Sequence, residues 1–252
     1  MEALPPVVGF NGVAEAGFPD VMCPVMFLAG CNLRCPYCMN SSAVVRIEES
    51  SLKSASDVLD QIDQITDGDD DDPGQLLISG GEPCIHPGLP RLVDLAIDRG
   101  YRVRLSTNGT RPEVLETLLA SGKLSFVALD IKLDVFGNKE IAGFDPDQVS
   151  LMRHAVPRSL ELLKLHTRQN AVLFAYEVRT TLYPPLVDVA EIESISSHLD
   201  PNGVYVLQQF RHTKGMLSPG VAGLVTPYST DRIEYMADVA SIRLKHVHVR
   251  RP

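Results

Sequence analysis

No run of about 20 consecutive apolar residues, the length a membrane helix needs, occurs anywhere in the 252 residues. The first ten, MEALPPVVGF, lack the basic segment and long apolar stretch of a secretory signal, so a cytoplasmic protein without membrane association is expected. Linkers rich in Gly, Ser or Pro are missing, as are internal repeats. One domain over 1–252, with short N- and C-terminal extensions, follows as the expectation. Basic residues are too few to attract polyanions: 23 Lys and Arg against 32 Asp and Glu leave a net charge of −9, which argues against nucleic acid as a partner. The densest acidic run, Asp67 to Pro73, reads as a solvated loop. Cysteines number five, and three of them fall within eight residues. An odd count crowded into one loop does not suit a secreted disulfide framework, and metal ligation is the better reading.

Hydrophobic residues make up 44% of the chain, ordinary for a globular enzyme, and they are patterned. Short β-branched runs at Val25 to Ala29, Leu76 to Ser79, Tyr101 to Ser106, Phe126 to Asp130, Val172 to Thr180 and Val204 to Leu207 read as strands. Amphipathic helices lie between them, for example Ala55 to Ile65, Pro112 to Ala120 and Val187 to His198. Strand and helix alternating about six times predicts a parallel α/β sheet, and six units suggest a partial barrel. The last segment, Ile242 to Arg250, alternates apolar and basic residues and is expected to form an extra edge strand. Polar and Gly-rich loops follow the strands at Gly30 to Asn40, Gly80 to His86, Thr107 to Thr110 and Ile131 to Asp134. Ligands of parallel α/β folds bind at the carboxyl ends of strands, so these loops should meet at one mouth.

The first of them holds Cys31, Cys35 and Cys38, separated by three and then two residues. Thiolates this close can wrap one cube of iron and sulfur, and three ligands for four irons leave one iron open to another molecule. Zinc is the alternative, but Cys23, Cys84 and His86, the nearest fourth ligands, show no zinc-ribbon spacing. Buried structural thiols are a further alternative.

Three cysteines at this spacing, with Tyr37 before the last, resemble the signature of the radical S-adenosylmethionine (SAM) superfamily. Ser79-Gly80-Gly81-Glu82-Pro83, Thr107-Asn108-Gly109 and Asp130-Ile131-Lys132 follow in the family's order. Within the superfamily the chain is similar to small glycyl-radical-enzyme activases, those of anaerobic ribonucleoside-triphosphate reductase and of pyruvate formate-lyase. The segments Asp130 to Lys132, Glu177 to Thr181 and Tyr205 to Arg211 carry the narrower match. The resemblance implies a (β/α)6 partial TIM barrel and one 4Fe-4S cluster on Cys31, Cys35 and Cys38. It also implies reductive cleavage of SAM to a 5'-deoxyadenosyl radical. The expected partners are a glycyl-radical enzyme and a low-potential electron donor such as flavodoxin or ferredoxin.

Residue roles follow from the same comparison. Gly80 and Gly81 would let the backbone approach the methionine moiety, and Glu82 would accept hydrogen bonds from its ammonium group. Tyr37 would lie near the adenine. Lys132, on the same side of the chain as Asp130, and Arg179 would meet the SAM carboxylate, while Gln208 would offer an amide to adenine or substrate. Ser106 and Asn108 belong to the same cofactor-binding set. Ser106 stands where activases usually carry Asp, which weakens a monovalent-cation site; Met39 and Cys84 also depart from the pattern. A six-strand partial barrel would leave a lateral opening for a peptide loop. The competing expectations are a 7-carboxy-7-deazaguanine synthase-like enzyme acting directly on a small molecule or peptide, and a non-catalytic iron-sulfur or zinc module.

Overall fold

In a parallel sheet successive side chains point to opposite faces, so a sheet covered by helices on one side sorts its residues by parity. The computed structural model of this chain describes residues 2–17, 21–45, 47–66, 74–138, 141, 144–213, 216–218, 220 and 223–251. The expected acidic loop, Asp67 to Pro73, lies outside them. Eight strands run in chain order as neighbours: β1 Val7–Glu15, β2 Met22–Leu28, β3 Gln75–Gly80, β4 Arg102–Thr107, β5 Leu124–Asp130, β6 Ala175–Leu182, β7 Val204–Gln209 and β8 His246–Arg250. β1 is antiparallel to β2, and every later pairing is parallel. The crossovers carry α1 Ser41–Val44, α2 Ala55–Thr66, α3 Leu89–Asp98, α4 Pro112–Ala120, α5 Pro146–Asn170, α6 Val189–His198 and α7 Thr230–Ser241.

The expected six strands are therefore β2 to β7, and the α/β partial barrel is borne out with one strand added at each edge. Strand β1 escaped the sequence reading because Gly9 and Gly12 break its alternation; its register slips between Val7 and Gly9 and again between Asn11 and Ala14. Strand β6, expected from Val172, was placed too early. Leu173 and Phe174 donate their N–H groups to the Asn170 carbonyl at 3.0 Å, extending the last turn of α5, and the strand begins only at Ala175. The expected edge strand is shorter than 242–250, because the Ile242 and Leu244 N–H groups still bond to carbonyls of α7.

Parity then builds the two faces. Leu76 and Ile78, Val103 and Leu105, Val127 and Leu129, and Tyr205 and Leu207 are buried and packed in the core that includes the helices. Each such side chain contributes roughly 1.5–3 kcal/mol. The alternate residues face the concave side and include Ser79, Ser106, Asp130, Arg179, Gln208 and Arg250. No ladder joins β8 to β1 among the described residues, so the sheet is open. The seam between these edges is nevertheless bridged. Arg250 Nε of β8 lies 2.5 Å from Glu15 Oε1 of β1, so one side-chain ion pair spans the expected lateral opening.

Helices α6 and α7 are tied by one carboxylate. Asp188 caps α6 in a reciprocal box with Glu191, accepts from Val189 N at 2.8 Å, and accepts from Arg232 Nη2 at 2.6 Å. Burial acts to raise its pKa, but the bonds from Arg232 and Val189 outweigh it and hold the carboxyl below 3.8. A carboxylate with a depressed folded pKa stabilises the protein above its unfolded value and loses that contribution as pH falls through the folded value. Asp188→Ala is expected to cost about 1 kcal/mol at pH 7. In urea titrations its deficit should narrow below pH 3.8; a deficit constant down to the acid transition would show that the charge plays no part.

Candidate active site

The loops after β2, β3, β4 and β5 pack on one another before any ligand is considered. A Cβ on Gly80 would overlap the Leu28 backbone, and one on Gly81 would overlap the Gly30 carbonyl. Gly80 also sits at φ +120°, in the region that favours glycine. With both side chains absent, Gly81 N donates to Leu28 O at 3.0 Å and Glu82 N to Gly30 O at 2.9 Å. The two glycines thus serve the approach of loop to loop, a reason the sequence did not disclose, while still lining the cavity.

Glu82 is 1% exposed. Its Oε1 accepts from Cys84 N at 3.0 Å and Thr107 Oγ1 at 2.6 Å, and its Oε2 accepts from Asn108 N at 2.6 Å. Burial raises its pKa, opposed by these same hydrogen bonds. The carboxylate expected to meet an ammonium group is therefore largely engaged in holding the β3 and β4 loops together. Asn108 continues the network: its Nδ2 donates to Asn32 Oδ1 at 3.1 Å, and Asn32 Nδ2 donates to Thr110 Oγ1 at 2.8 Å, fixing the cysteine loop to the β4 loop.

The cysteine loop is held from three more directions. Arg34 N donates to Gln148 Oε1 at the start of α5, at 3.0 Å, and Asn40 Nδ2 to Gly80 O at 3.0 Å. On the far side of the mouth, Leu217 N donates to Cys38 O at 3.1 Å and Ser218 N to Pro36 O at 3.2 Å. These two residues belong to the connection between β7 and α7, a strap that the sequence reading missed. Cys31, Cys35 and Cys38 are free thiols; Cys35 is buried and the other two are half-buried. Burial pushes the Cys35 thiol up to about 12, partly opposed by Lys132. All three line the same cavity, and among the described residues no three His, Cys, Asp or Glu side chains are grouped to hold a single metal ion.

Across the cavity, Asp130 is shared between two cations. Arg179 Nε lies 2.7 Å from Oδ1 and Lys132 Nζ 3.1 Å from Oδ2, and Arg179 Nη2 also donates to Ser106 Oγ. Burial acts to raise the Asp130 pKa, but Arg179 and Lys132 hold it below the usual carboxylate range. Lys132 is correspondingly raised: burial opposes its charge, and Asp130 more than offsets that. Tyr37 is 7% exposed, its ring centroid lies 5.0 Å from that of Tyr183, and its hydroxyl has no hydrogen-bond partner. Gln208 and Gln209 both line the cavity, and Gln209 also donates its amide to the Tyr228 carbonyl at 3.4 Å. All the expected site residues line one cavity of about 430 Å³, within the range of small-molecule sites.

Residues 25–149 match the model of the radical SAM superfamily. The chain belongs to that superfamily. It is 29% identical over 211 residues to the "Putative glycyl-radical enzyme activating enzyme MJ1227" of Methanocaldococcus jannaschii, covering 83% of this chain and 81% of that protein. A 7-carboxy-7-deazaguanine synthase of Aquifex aeolicus is 35% identical over 94 residues, 37% of this chain and 38% of its own. Among solved structures, a radical SAM methyltransferase from Sphaerobacter thermophilus superposes with a TM-score of 0.66 at 15% identity, over 93% of this chain and 67% of that one, and so shares the fold.

Radical SAM proteins use a 4Fe-4S cluster and SAM, and the residues present fit both. Three free thiols, the donor type that iron–sulfur clusters take, line one cavity together with two cations suited to a carboxylate and with Tyr37, whose hydroxyl has no partner among the described residues. The engaged carboxylate of Glu82 yields a specific expectation. Glu82→Gln places an amide N–H₂ among three donors, and should lower the unfolding free energy by about 1–3 kcal/mol. A urea midpoint identical to that of the wild type would show that the buried acid does not hold the loops.

Proposed function

We propose that Cys31, Cys35 and Cys38 hold the 4Fe-4S cluster, and that this radical SAM enzyme installs a glycyl radical on a partner enzyme. The observation that carries the cluster and SAM reading is the convergence of the three free cysteines with Asp130, Lys132 and Arg179 on one cavity. Support for the glycine substrate is the match to the M. jannaschii protein over most of both chains. When bound, the cluster supplies the electron that cleaves SAM to methionine and a 5'-deoxyadenosyl radical.

The chain's own residues do the positioning. Asp130 and Glu177 hold Arg179 in place, and Lys132, which spends one N–H on Asp130, has further donors to offer the SAM carboxylate. Glu82 lines the cavity between its bonds to Cys84, Thr107 and Asn108, and is the carboxylate assigned to the ammonium group. Tyr37 forms the cavity wall available to the adenine, Gln208 offers an amide to adenine or substrate, and Asn108 and Ser106 hold the loop and Arg179 in place. The strap residues Leu217 and Ser218 cover one side of the cysteine loop and limit water there. No helix among the described residues is long and apolar enough to cross a membrane, in keeping with a cytoplasmic enzyme served by a flavodoxin- or ferredoxin-type donor.

The bridged seam and the strap favour a second reading, direct action on a small molecule, because they narrow the side entry a peptide loop would use. Anaerobic reaction with glycyl-radical enzymes separates the two. The correct partner should gain a doublet electron paramagnetic resonance signal whose splitting changes when its glycine carries deuterium at the α-carbon. Rapid turnover of a free metabolite by the isolated chain would instead establish the second reading.

Two variants test the assignments beneath both. Replacing Cys31, Cys35 or Cys38 by Ala should abolish stable iron loading, whereas Cys23→Ala should keep it; undiminished iron in all three would overturn the ligand set. Lys132→Ala should retain iron and weaken SAM binding about ten- to a hundredfold, measured by anaerobic titration calorimetry.

A further inference from the structure

The superfamily match ends at residue 149, so β6, β7 and β8 lie beyond it. Their cavity-facing side chains are accordingly where this chain states its own preference. Thr181, Gln208 and Arg250 are register neighbours on β6, β7 and β8, and all three line the cavity, as do Arg211 and Arg251 at its rim. This end of the cavity is rich in hydrogen-bond donors, with Arg251 paired to Glu234 at 2.8 Å.

Arg250 has two carboxylate neighbours of opposite character. Glu177 is 0% exposed and sits below, with Oε1 3.9 Å from Arg250 Nη1 and 3.9 Å from Arg179 Nη1. It lies beneath the cavity floor. Glu15, 40% exposed, reaches across the seam to Arg250 Nε at 2.5 Å. A solvated carboxylate facing a guanidinium held in place from below is exchangeable: an incoming anion can take the same donors while Glu15 turns to water. Arg211 has no partner among the described residues and is exposed at the same rim.

We infer that Arg250, with Thr181 and Gln208 beside it, is a receptor for an anionic group of the substrate, a carboxylate or phosphate, and that Glu15 is the internal counter-ion this group displaces. The inference rests on SAM being held at Tyr37, Glu82, Lys132 and Arg179, as proposed above, with Thr181 and Arg250 farther along the sheet left to the substrate.

The test uses the anaerobically reconstituted protein saturated with SAM, titrated calorimetrically with inorganic phosphate and with malonate. Wild type should bind at least one of these anions. Arg250→Gln should weaken binding about tenfold or more, and Arg250→Lys should restore part of it. Glu15→Gln should bind the anion more tightly than wild type, a gain that misfolding cannot mimic. Equal affinity in the wild type and Arg250→Gln, or no gain in Glu15→Gln, overturns the inference. So does a loss of SAM affinity confined to Arg250→Gln, which would place Arg250 in the SAM site and leave the proposed function standing. Failure of wild type itself to bind SAM would overturn both. A final arm separates the sources of the anion: the capped peptides Ala-Asp-Gly-Ala and Ala-Asn-Gly-Ala are compared with malonate. Preference for the Asp peptide over its Asn counterpart supports the receptor with an acidic protein loop as its ligand. Malonate binding tighter than either peptide supports it with a free carboxylate metabolite.

Discussion

Helices pack on only one face of this sheet, and that asymmetry governs the rest. Residues such as Leu105, Val127 and Leu207 bury their side chains against helices, so their immediate neighbours in each strand must point into the concave interior. That interior carries Arg104, Asp130, Glu177, Arg179 and Arg250, charges that could not be buried singly. Four of them are tolerated because Asp130 pairs with Arg179, and Glu177 lies between Arg179 and Arg250. Asp130 and Arg179 are direct register partners, while Arg104 lies over the Phe126 ring at 3.8 Å and donates to Ala16 O and Gln75 Oε1. The polar lining of the cavity is thus a consequence of fold parity as much as a device for binding.

A second constraint acts at the strand ends. A loop that is to hold three cysteines around a fixed volume cannot be mobile, since misplacing one thiol would strain the whole ligand set. Here the cysteine loop is fastened to the β3 loop by Asn40, to the β4 loop by Asn32, to α5 by Arg34 N and to the β7 connection through Cys38 O and Pro36 O. Glu82 and the glycine pair before it make the first of these contacts possible by removing the bulk and satisfying the backbone where the loops touch. Preorganisation is distributed over four elements far apart in sequence.

This explains what the sequence could and could not show. Strand and helix periodicity located β2 to β5, β7 and the helix α4 to within a few residues, because those segments are governed by local pattern. The cysteine spacing and the order of the Gly-Gly-Glu-Pro, Thr-Asn-Gly and Asp-Ile-Lys segments were legible for the same reason: each is contiguous. Strand β1 was hidden by its glycines and bulges, and the start of β6 by apolar residues 172–174 that finish a helix. The engaged state of Glu82, the Ser106 to Arg179 bond and the Glu15 to Arg250 bridge join residues 25, 73 and 235 positions apart, and no local pattern encodes such pairings.

The bridge between the sheet edges bears on how substrates reach the interior. An open sheet of this kind has two unpaired edges, and unpaired edges are places where another strand or loop can add. A side-chain ion pair closes the seam far more weakly than a ladder of backbone hydrogen bonds, for it is part-exposed, screened by salt and made of groups that water can solvate separately. The seam is therefore shut in the resting protein yet inexpensive to open, provided that whatever enters compensates Arg250. A neutral substrate would leave a guanidinium above a buried carboxylate with its solvated partner removed; an anionic one would not. Access and recognition at this edge are in that sense one property, set by a single arginine on the last strand.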